Sequence, residues 1–412
     1  MFCFAFLLFF RNFTPEIGKN GKIVTKFTED TGCFVAVSQL LQFIFGLYTP
    51  PFLVVRIARF SVIYLEVSIF FRNFAPAMKK GSKDNGVRVK LRMFEGFAGY
   101  GGASFALRRL KRKGFLDYET IGFSETDLKA IEIYEKNFPG VKNFGDITKI
   151  KVKKLPKFNL FTGGFPCQPF STAGSRGGEL DDRGTLFGDI IRICEYKKPK
   201  YIFLENVQGL TSGRLRPTFD KIMSELKRIG YDCQWRLINS KDYGIPQNRL
   251  RLWIFGTLGT LPDGFEMTPP KKKLRRKLRD LLDKNPDESL YRSPKQLAHI
   301  HEIHNNGLFK VNEPLCYDYY NRKIRTDGIC MTVTPPHHNV VRIVEPMVDG
   351  KERFRKLSID EHFRLMGFVI NKSRREIKYP DGQTYTELGT RAGNGWDINL
   401  VSILFEHIFS QL

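Results

Sequence analysis

Apolar and polar positions repeat with two different periods along this chain, and the periods alternate in order. Val89-Lys90-Leu91-Arg92-Met93 alternates as a β-strand. Ala103, Ala106, Leu107 and Leu110 then recur at helical spacing and mark one face of a helix. Tyr118 to Glu125 reads as a strand, and Leu128, Ile131 and Tyr134 mark the next helix. Phe158 to Phe165 and Tyr201 to Glu205 are short, nearly continuous apolar runs, as expected of strands buried on both faces. Pro217 to Ile229 predicts a helix with proline at its start and Gly230 at its stop. Cys233, Trp235 and Leu237 alternate on a strand, as do Leu250, Leu252 and Ile254. Strands alternating with helices predict an α/β fold with a mainly parallel sheet and helices on both faces.

The pattern weakens after Gly256. Residues 257 to about 350 are rich in Pro, Asn, Lys and His and hold few periodic segments. Lys271-Lys272-Lys273-Leu274-Arg275-Arg276-Lys277-Leu278-Arg279 is the densest basic run, and it reads as a solvated helix face in preference to a phosphate contact. Helical pattern returns at Ile359 to Met366 and at Ile398 to Phe409.

The first 77 residues differ in kind. They hold 15 of the 37 Phe residues, and an uncharged apolar run from Phe34 to Val55 is long enough for a membrane span, though Pro50-Pro51 breaks it. A membrane anchor, an ordered extension and translated sequence upstream of the natural start compete as readings. The third is preferred, because Met78-Lys79-Lys80 opens a polar segment and every motif lies beyond it.

The charge balance of 66 basic and 43 acidic residues, +23, favours a polyanionic partner, nucleic acid ahead of an anionic membrane. Seven cysteines, an odd count with no CxxC pair, argue against a disulfide framework and for a reducing compartment. His299, His301 and His304, near Cys316 and Cys330, fit no standard zinc spacing, and no metal is expected.

Chemistry concentrates in four places. Phe165-Pro166-Cys167-Gln168-Pro169-Phe170-Ser171 follows a strand ending in Gly163-Gly164, which sets one thiol at the carboxyl end of a sheet, where open α/β sheets bind ligands. Phe97-Ala98-Gly99-Tyr100-Gly101-Gly102 joins the first strand to its helix, and glycines there let the backbone approach a ligand. That loop does not match G-x-G-x-x-G, so a pyrophosphate cradle is not predicted. Glu125 ends the next strand, where an acid meets ribose hydroxyls, and Asp146 follows in Gly145-Asp146-Ile147-Thr148. Glu205-Asn206-Val207 and Gln247-Asn248-Arg249-Leu250-Arg251 complete the set, with two guanidinium groups two residues apart.

From Val89 to Phe409 the chain resembles the DNA (cytosine-5)-methyltransferases, of the bacterial type II modification kind. These stretches stand in the family's order, along with Arg183-Gly184-Thr185-Leu186-Phe187, Arg355-Lys356-Leu357 with Glu361, Met366-Gly367-Phe368 and Gly393-Asn394-Gly395. The resemblance implies a Rossmann-like S-adenosylmethionine-dependent methyltransferase fold with a smaller target-recognition domain. Residues 78–256 and 349–412 would form the catalytic body and 257–348 the recognition domain.

It implies Cys167 as nucleophile at cytosine C6 and Glu205 as the N3 partner. Arg249 and Arg251 would orient the base, the carboxylate or a phosphate. It implies a cofactor site at Phe97, Ala98, Gly99, Tyr100, Gly101, Gly102, Glu125, Thr126, Asp146, Ile147, Leu186, Asn394 and Trp396. Gln168, Ser171 and Arg183 would contact DNA from a glycine-rich lid over a flipped base.

The expected partner is double-stranded DNA, with a restriction endonuclease acting separately. A cytoplasmic monomer is expected, with S-adenosyl-L-methionine as cofactor, S-adenosyl-L-homocysteine as product and no metal. The rivals are the same chemistry on tRNA and a non-catalytic DNA-binding derivative. Two departures stand out. Glu95-Gly96 occupies the place of the family's usual Asp-Leu, and Trp396 stands where a small or aliphatic residue is common.

Overall fold

The computed structural model describes residues 90–166, 186–304, 311–319, 321–336 and 341–412, and the backbone of two short strands nearer the amino terminus. Those two, β1 (Pro15–Ile17) and β2 (Ile23–Thr25), pair antiparallel within a first unit, Met1–Gly86. The apolar run Phe34 to Val55, and the competing readings of 1–77 that depend on it, lie outside the described residues. No described helix is long and apolar enough to cross a membrane.

The second unit, Val87–Leu412, is built on a six-stranded sheet. Its strands are β3 (Lys90–Gly96), β4 (Asp117–Ser124), β5 (Leu160–Gly164), β6 (Tyr201–Val207), β7 (Tyr231–Asn239) and β8 (Leu250–Leu258), in the order β4-β3-β5-β6-β8-β7. The first four run parallel, and β8 is antiparallel to both of its neighbours. The parallel core explains the apolar runs. Leu160, Phe161 and Thr162 in β5, and Ile202, Phe203 and Leu204 in β6, have no exposed surface because both faces are covered.

Helices α1 (Gly102–Arg112), α2 (Leu128–Asn137), α3 (Leu186–Lys197) and α4 (Arg216–Arg228) follow the first strands. On one face the predicted stripe Ala103, Ala106, Leu107 and Leu110 of α1 meets Leu91 and Met93. The carboxyl-terminal helix, Ile398–Phe409, returns to the same face through Val401, Leu404, Phe405 and Ile408. On the other face Ile190 and Ile193 of α3 and Ile222 and Leu226 of α4 meet Phe94, Phe161 and Ile202. This is a Rossmann-like α/β fold of the methyltransferase kind.

The stretch that carried little period holds more structure than its pattern suggested. Helix α5 (Pro294–His304) precedes a four-stranded antiparallel sheet of β9 (Leu315–Asp318), β10 (Lys323–Arg325), β11 (Val341–Val348) and β12 (Lys351–Arg355), in the order β10-β9-β11-β12. The basic run is not the helix face expected of it. Residues 271–277 have no regular structure, and only Leu278–Leu281 makes a short 3₁₀ turn. The end of the run explains this: its Leu278 and, just beyond it, Leu281 are buried in a core shared with Cys316, Ile343 and Phe363, and two anchors three residues apart fix a single turn. Helices α6 (Ile359–Leu365), α7 (Tyr385–Asn394) and α8 (Ile398–Phe409) close the chain, and α6 and α7 open with capping boxes.

Two buried carboxylates tie these layers. Glu361 opens α6 and pairs with the fully buried Arg355 through two contacts of 2.8 and 2.9 Å, and Glu345 of β11 adds a third at 2.6 Å. Glu95, at the end of β3, accepts from the Ala103 amide at 3.0 Å and the Ser104 hydroxyl at 2.7 Å, and the Tyr134 hydroxyl of α2 lies 3.1 Å away. α1 has no side-chain cap of its own, so Glu95 supplies one from the preceding strand.

Removing one member of a buried ion pair strands the other. Glu361→Ala is therefore expected to lower stability by about 3 kcal/mol, read as a lower midpoint of urea unfolding, and an unchanged midpoint would show Arg355 to be satisfied without it.

Burial raises the Glu95 carboxyl from 4.5 to about 7. A carboxyl raised on folding contributes stability that is fully present below its unfolded pKa and is lost as pH rises through the folded one. Glu95→Gln should gain on wild type by about 3 kcal/mol between about pH 4 and pH 8, measured as unfolding free energy at each pH. Parallel pH curves for the two proteins would contradict this.

Candidate active site

The loops after β3, β5 and β6 emerge at one edge of the sheet. A cleft of about 340 Å³ opens there, lined by residues from Glu95 to Tyr100, by Gly102, Gly163 and Gly164, and by Asn394, Gly395 and Trp396. The β3 loop turns through three left-handed residues, Phe97 (φ 50°), Gly99 (φ 55°) and Gly101 (φ 93°). Phe97 is the unusual one, a bulky side chain held where glycine is normally found. A Cβ on Gly99 would meet nothing within 4 Å, so its backbone faces open space.

Glu125, just past the end of β4, accepts from the Gly99 amide at 2.8 Å. Its other oxygen accepts from the amides of Thr126 and Asp127 at 2.8 and 2.9 Å. A carboxylate has about four acceptor sites, so one remains. Asp146 accepts from the Thr148 hydroxyl at 2.8 Å and amide at 2.9 Å, and these bonds hold its carboxyl below the usual range. Ile147 is buried against the position a side chain at Gly96 would take, and Leu186 opens α3, half-buried.

Of the residues expected at a cofactor, Phe97, Ala98, Gly99, Tyr100, Gly102, Asn394 and Trp396 line this cleft. Gly101, Glu125, Thr126, Asp146, Ile147 and Leu186 do not, although Glu125 reaches it through the Gly99 amide.

Beside the cleft lies a second group. Glu205 stands opposite Gly164 in the β5–β6 register. Because β8 runs antiparallel to β6, the start of β8 reaches the edge where β6 ends, and Arg251 Nε lies 3.2 Å from Glu205 Oε1. Burial raises the Glu205 carboxyl, while Arg251 and Arg249 oppose that rise. Burial is also what lowers the Arg251 pKa.

Arg249 is placed differently from the expectation that one guanidinium orients the base or the carboxylate and the other a phosphate. It is buried, and its Nη1 donates to the Val333 carbonyl at 3.0 Å. Its Nη2 donates to those of Gly393 at 3.2 Å and Gly395 at 2.7 Å. It acts on Glu205 only through its field. The physical reason is that a desolvated guanidinium needs acceptors, and the loops folded over it supply backbone carbonyls. Burial first, and Arg251 second, lower its pKa to about 9.

Cys167, Gln168, Ser171 and Arg183, and with them the lid, lie outside the described residues. The described chain leads to within one residue of Cys167, and there Asn206 Nδ2 donates to the Phe165 carbonyl at 3.0 Å.

The sequence named Asn206 and Gln247 within its motifs but gave neither a role; the Gln247 side chain bridges the Leu365 carbonyl at 2.6 Å and the Val333 amide at 2.8 Å. Strand alternation carried the signal for Asn206, since it must face away from Glu205. No local signal exists for Gln247, whose partners lie 86 and 118 residues away. Among the described residues no group of three or more His, Cys, Asp or Glu could hold a metal ion.

Known proteins resemble this chain in sequence and in fold. The chain is 40% identical over 191 residues to the type II methyltransferase M.NlaIV of Neisseria lactamica, and 36% over 221 residues to M.NgoBV of Neisseria gonorrhoeae. These stretches are 44% and 49% of this chain, and it spans about half the length of those relatives, 45% and 52%. It is 32% identical over 311 residues to M1.ScrFI of Lactococcus lactis subsp. cremoris, 74% of this chain and 76% of that one. Among solved structures, the Dnmt2 methyltransferase of S. pombe superposes with a TM-score of 0.57 at 19% identity, over 78% of this chain and 99% of that one. The likeness extends to fold alone at that identity. The family model of C-5 cytosine-specific DNA methylases matches residues 91–410, essentially the whole body from β3 to α8, and the chain belongs to that family.

Proposed function

We propose that this protein transfers a methyl group from S-adenosylmethionine to C5 of a cytosine flipped out of a specific double-stranded DNA sequence, as the modification enzyme of a restriction-modification system. The observation that carries this reading is the meeting, on one sheet edge, of the cleft and the Glu205–Arg251 pair. The strand that enters the Pro166-Cys167 turn pairs directly beside Glu205.

The residues in the cleft, with Glu125 behind the Gly99 amide, fit the cofactor. A nucleoside without a pyrophosphate needs a ring to stack on and acids for its hydroxyls. Phe97, the bare backbone at Gly99 and the remaining acceptor site on Glu125 offer these, and Trp396 adds a second aromatic wall. When bound, S-adenosylmethionine supplies an electrophilic methyl group and leaves as S-adenosylhomocysteine.

The chain's own work is to make cytosine C5 a nucleophile. The Cys167 thiolate adds to C6, forming a sulfur–carbon bond and moving the C5–C6 π electrons toward C5. Glu205 faces N3 and shares a proton with it, which offsets the charge that develops in the ring. A carboxyl raised by burial is protonated more often near neutral pH than an ordinary glutamate, which suits that task. Arg251 orients the carboxyl, and Arg249 holds the loops around it. After methylation a base removes the C5 proton, the C5–C6 double bond re-forms and the thiolate leaves. Gln168, Ser171 and Arg183 would hold the DNA backbone, an assignment that rests on the resemblance.

Cys167→Ser is expected to abolish methyl transfer, and wild type should trap covalently on duplex DNA containing 5-fluorocytosine. Equal trapping by the Ser variant would remove Cys167 from this role. Parallel assays on duplex DNA and tRNA decide the substrate, and methylation of tRNA alone would overturn the DNA reading.

Residues 257–348 form the proposed recognition region, because base readout needs side chains at groove edges and this span carries none of the catalytic set. Exchanging it, with β12 carried along with β11, for that of a relative of known target should move the methylated sequence. An active chimera that keeps its original target would place readout elsewhere.

A further inference from the structure

Four cysteines fall within the described residues, and all four are free thiols. Two of them face each other. The Cys316 and Cys330 sulfurs lie 3.7 Å apart, and both residues are buried. Cys316 is in β9, opposite Ile343 of β11 and Arg325 of β10. Cys330 lies beyond β10, on a segment bonded to the entry of β8. Its amide donates to the Pro246 carbonyl at 2.8 Å, and its carbonyl accepts from the Asn248 amide at 2.7 Å. The backbones of the two cysteines are thus held by different elements, and their sulfurs meet where the small sheet touches the segment leading to Arg249 and Arg251.

We propose that Cys316 and Cys330 are an oxidisable dithiol, a modification site at which a low-molecular-weight disulfide converts two thiols into one bridge between β9 and the segment held by Pro246 and Asn248. A disulfide sets its sulfurs about 2.0 Å apart, so the pair must close by about 1.7 Å. That is a local adjustment. The fold has already brought into contact two residues that stand 14 apart in the chain.

The chemistry is a two-electron oxidation of the pair. One protein thiolate attacks a sulfur of the reagent, whose S–S bond breaks and releases one reagent thiolate. The second protein thiolate attacks the mixed disulfide and expels the other. One S–S bond replaces another, two protons pass from protein sulfur to reagent sulfur, and the reagent ends as two thiols. In the reducing compartment expected from the cysteine count the pair stays as thiols, and the bridge answers a rise in small disulfides.

A buried thiol is inert until it is uncovered. The span between the two cysteines is the thin part of their cover. β10 is an edge strand of three residues, exposed or half-exposed throughout. The turn after it is held to the Leu278 amide through the Gly328 carbonyl at 2.7 Å. Local opening of this span admits the reagent while β9 and β11 stay paired. Fold and bridge also favour each other. Closing the loop costs the unfolded chain entropy that the folded chain has already lost, about a hundredfold in the bridging equilibrium for a loop near 15 residues.

The inference stands apart from the proposed function, because neither cysteine is placed in the catalytic set. The reduced full chain is equilibrated in mixtures of oxidised and reduced glutathione, once native and once in urea, and quenched with acid. Trypsin cuts after Arg322, Lys323 and Arg325, so the two cysteines leave in separate peptides unless they are bridged. The native protein is expected to yield the linked Cys316–Cys330 peptide pair by mass spectrometry. Its bridging constant should exceed that of the urea-unfolded chain by about a hundredfold. A native protein whose Cys316 and Cys330 stay as thiols, carry glutathione singly or bridge to other cysteines overturns the inference. A native bridging constant no larger than the unfolded one overturns it as well, since the fold would then not have prepared the pair.

Discussion

A guanidinium taken out of water must find acceptors, and Arg249 finds them only if three distant segments come together. Its partners Val333, Gly393 and Gly395 lie 84, 144 and 146 residues further along the chain. The end of α7, the segment before Thr334 and the start of β8 are therefore held at one point. Close approach repeats the constraint. A Cβ on Gly393 would fall 2.4 Å from the backbone of Thr334 and Pro335. Gln247 adds its own bridge from Leu365 to Val333. Without this knot the turn carrying Asn394 and Trp396 would have no fixed place over the glycine loop, and the cleft would lose one wall. Removing the charge would cost more than its contacts suggest, since several buried carbonyls would be left without a donor.

Strand direction does the rest of the placing. Parallel strands β3, β5 and β6 all deliver their carboxyl ends to one edge. A further parallel strand could bring only its end there, whereas antiparallel β8 brings its beginning. Arg251, at the opening of one strand, can thus meet a glutamate that nearly closes another. Alternation then separates their duties. Arg251 turns toward Glu205, while Asn206, the next residue on β6, faces the other way and holds the Phe165 carbonyl.

Much of this could be read from the residues, for physical reasons. Strands buried on both faces write themselves as apolar runs, so β5 and β6 were found to within two residues, and α8, with its wide apolar stripe, was located at its observed bounds. The glycine loop and the Glu205 and Arg251 positions were legible because special backbone and paired charges leave local marks. The second sheet was not. Its strands are three to eight residues long, and their burial alternates irregularly, with Lys323 to Arg325 exposed or half-exposed throughout. A basic run misled as a helix because its Leu278, with Leu281 just beyond it, anchors a turn. Glu95 read as a departure from the family, yet its longer side chain reaches the amino terminus of α1 and the Tyr134 hydroxyl. The role of Arg249 depends on partners that no window of sequence contains.

The same edge concentrates acids that burial keeps from ionising freely. Glu95, Glu205 and Asp397 all titrate above their ordinary values, and burial is the first cause in each. Their settings differ. Glu95 and Asp397 sit at the amino termini of α1 and α8 and accept backbone amides, which fixes those helices to the sheet. Glu205 accepts no backbone amide among the described residues; its partner is the Arg251 side chain, in an ion pair at 3.2 Å. A carboxyl held by amides belongs to the scaffold, because moving it unravels a helix end. One held only by side chains can exchange a proton with a bound base while the scaffold stays still. That distinction, more than burial, separates the acid suited to chemistry from the two that build its frame.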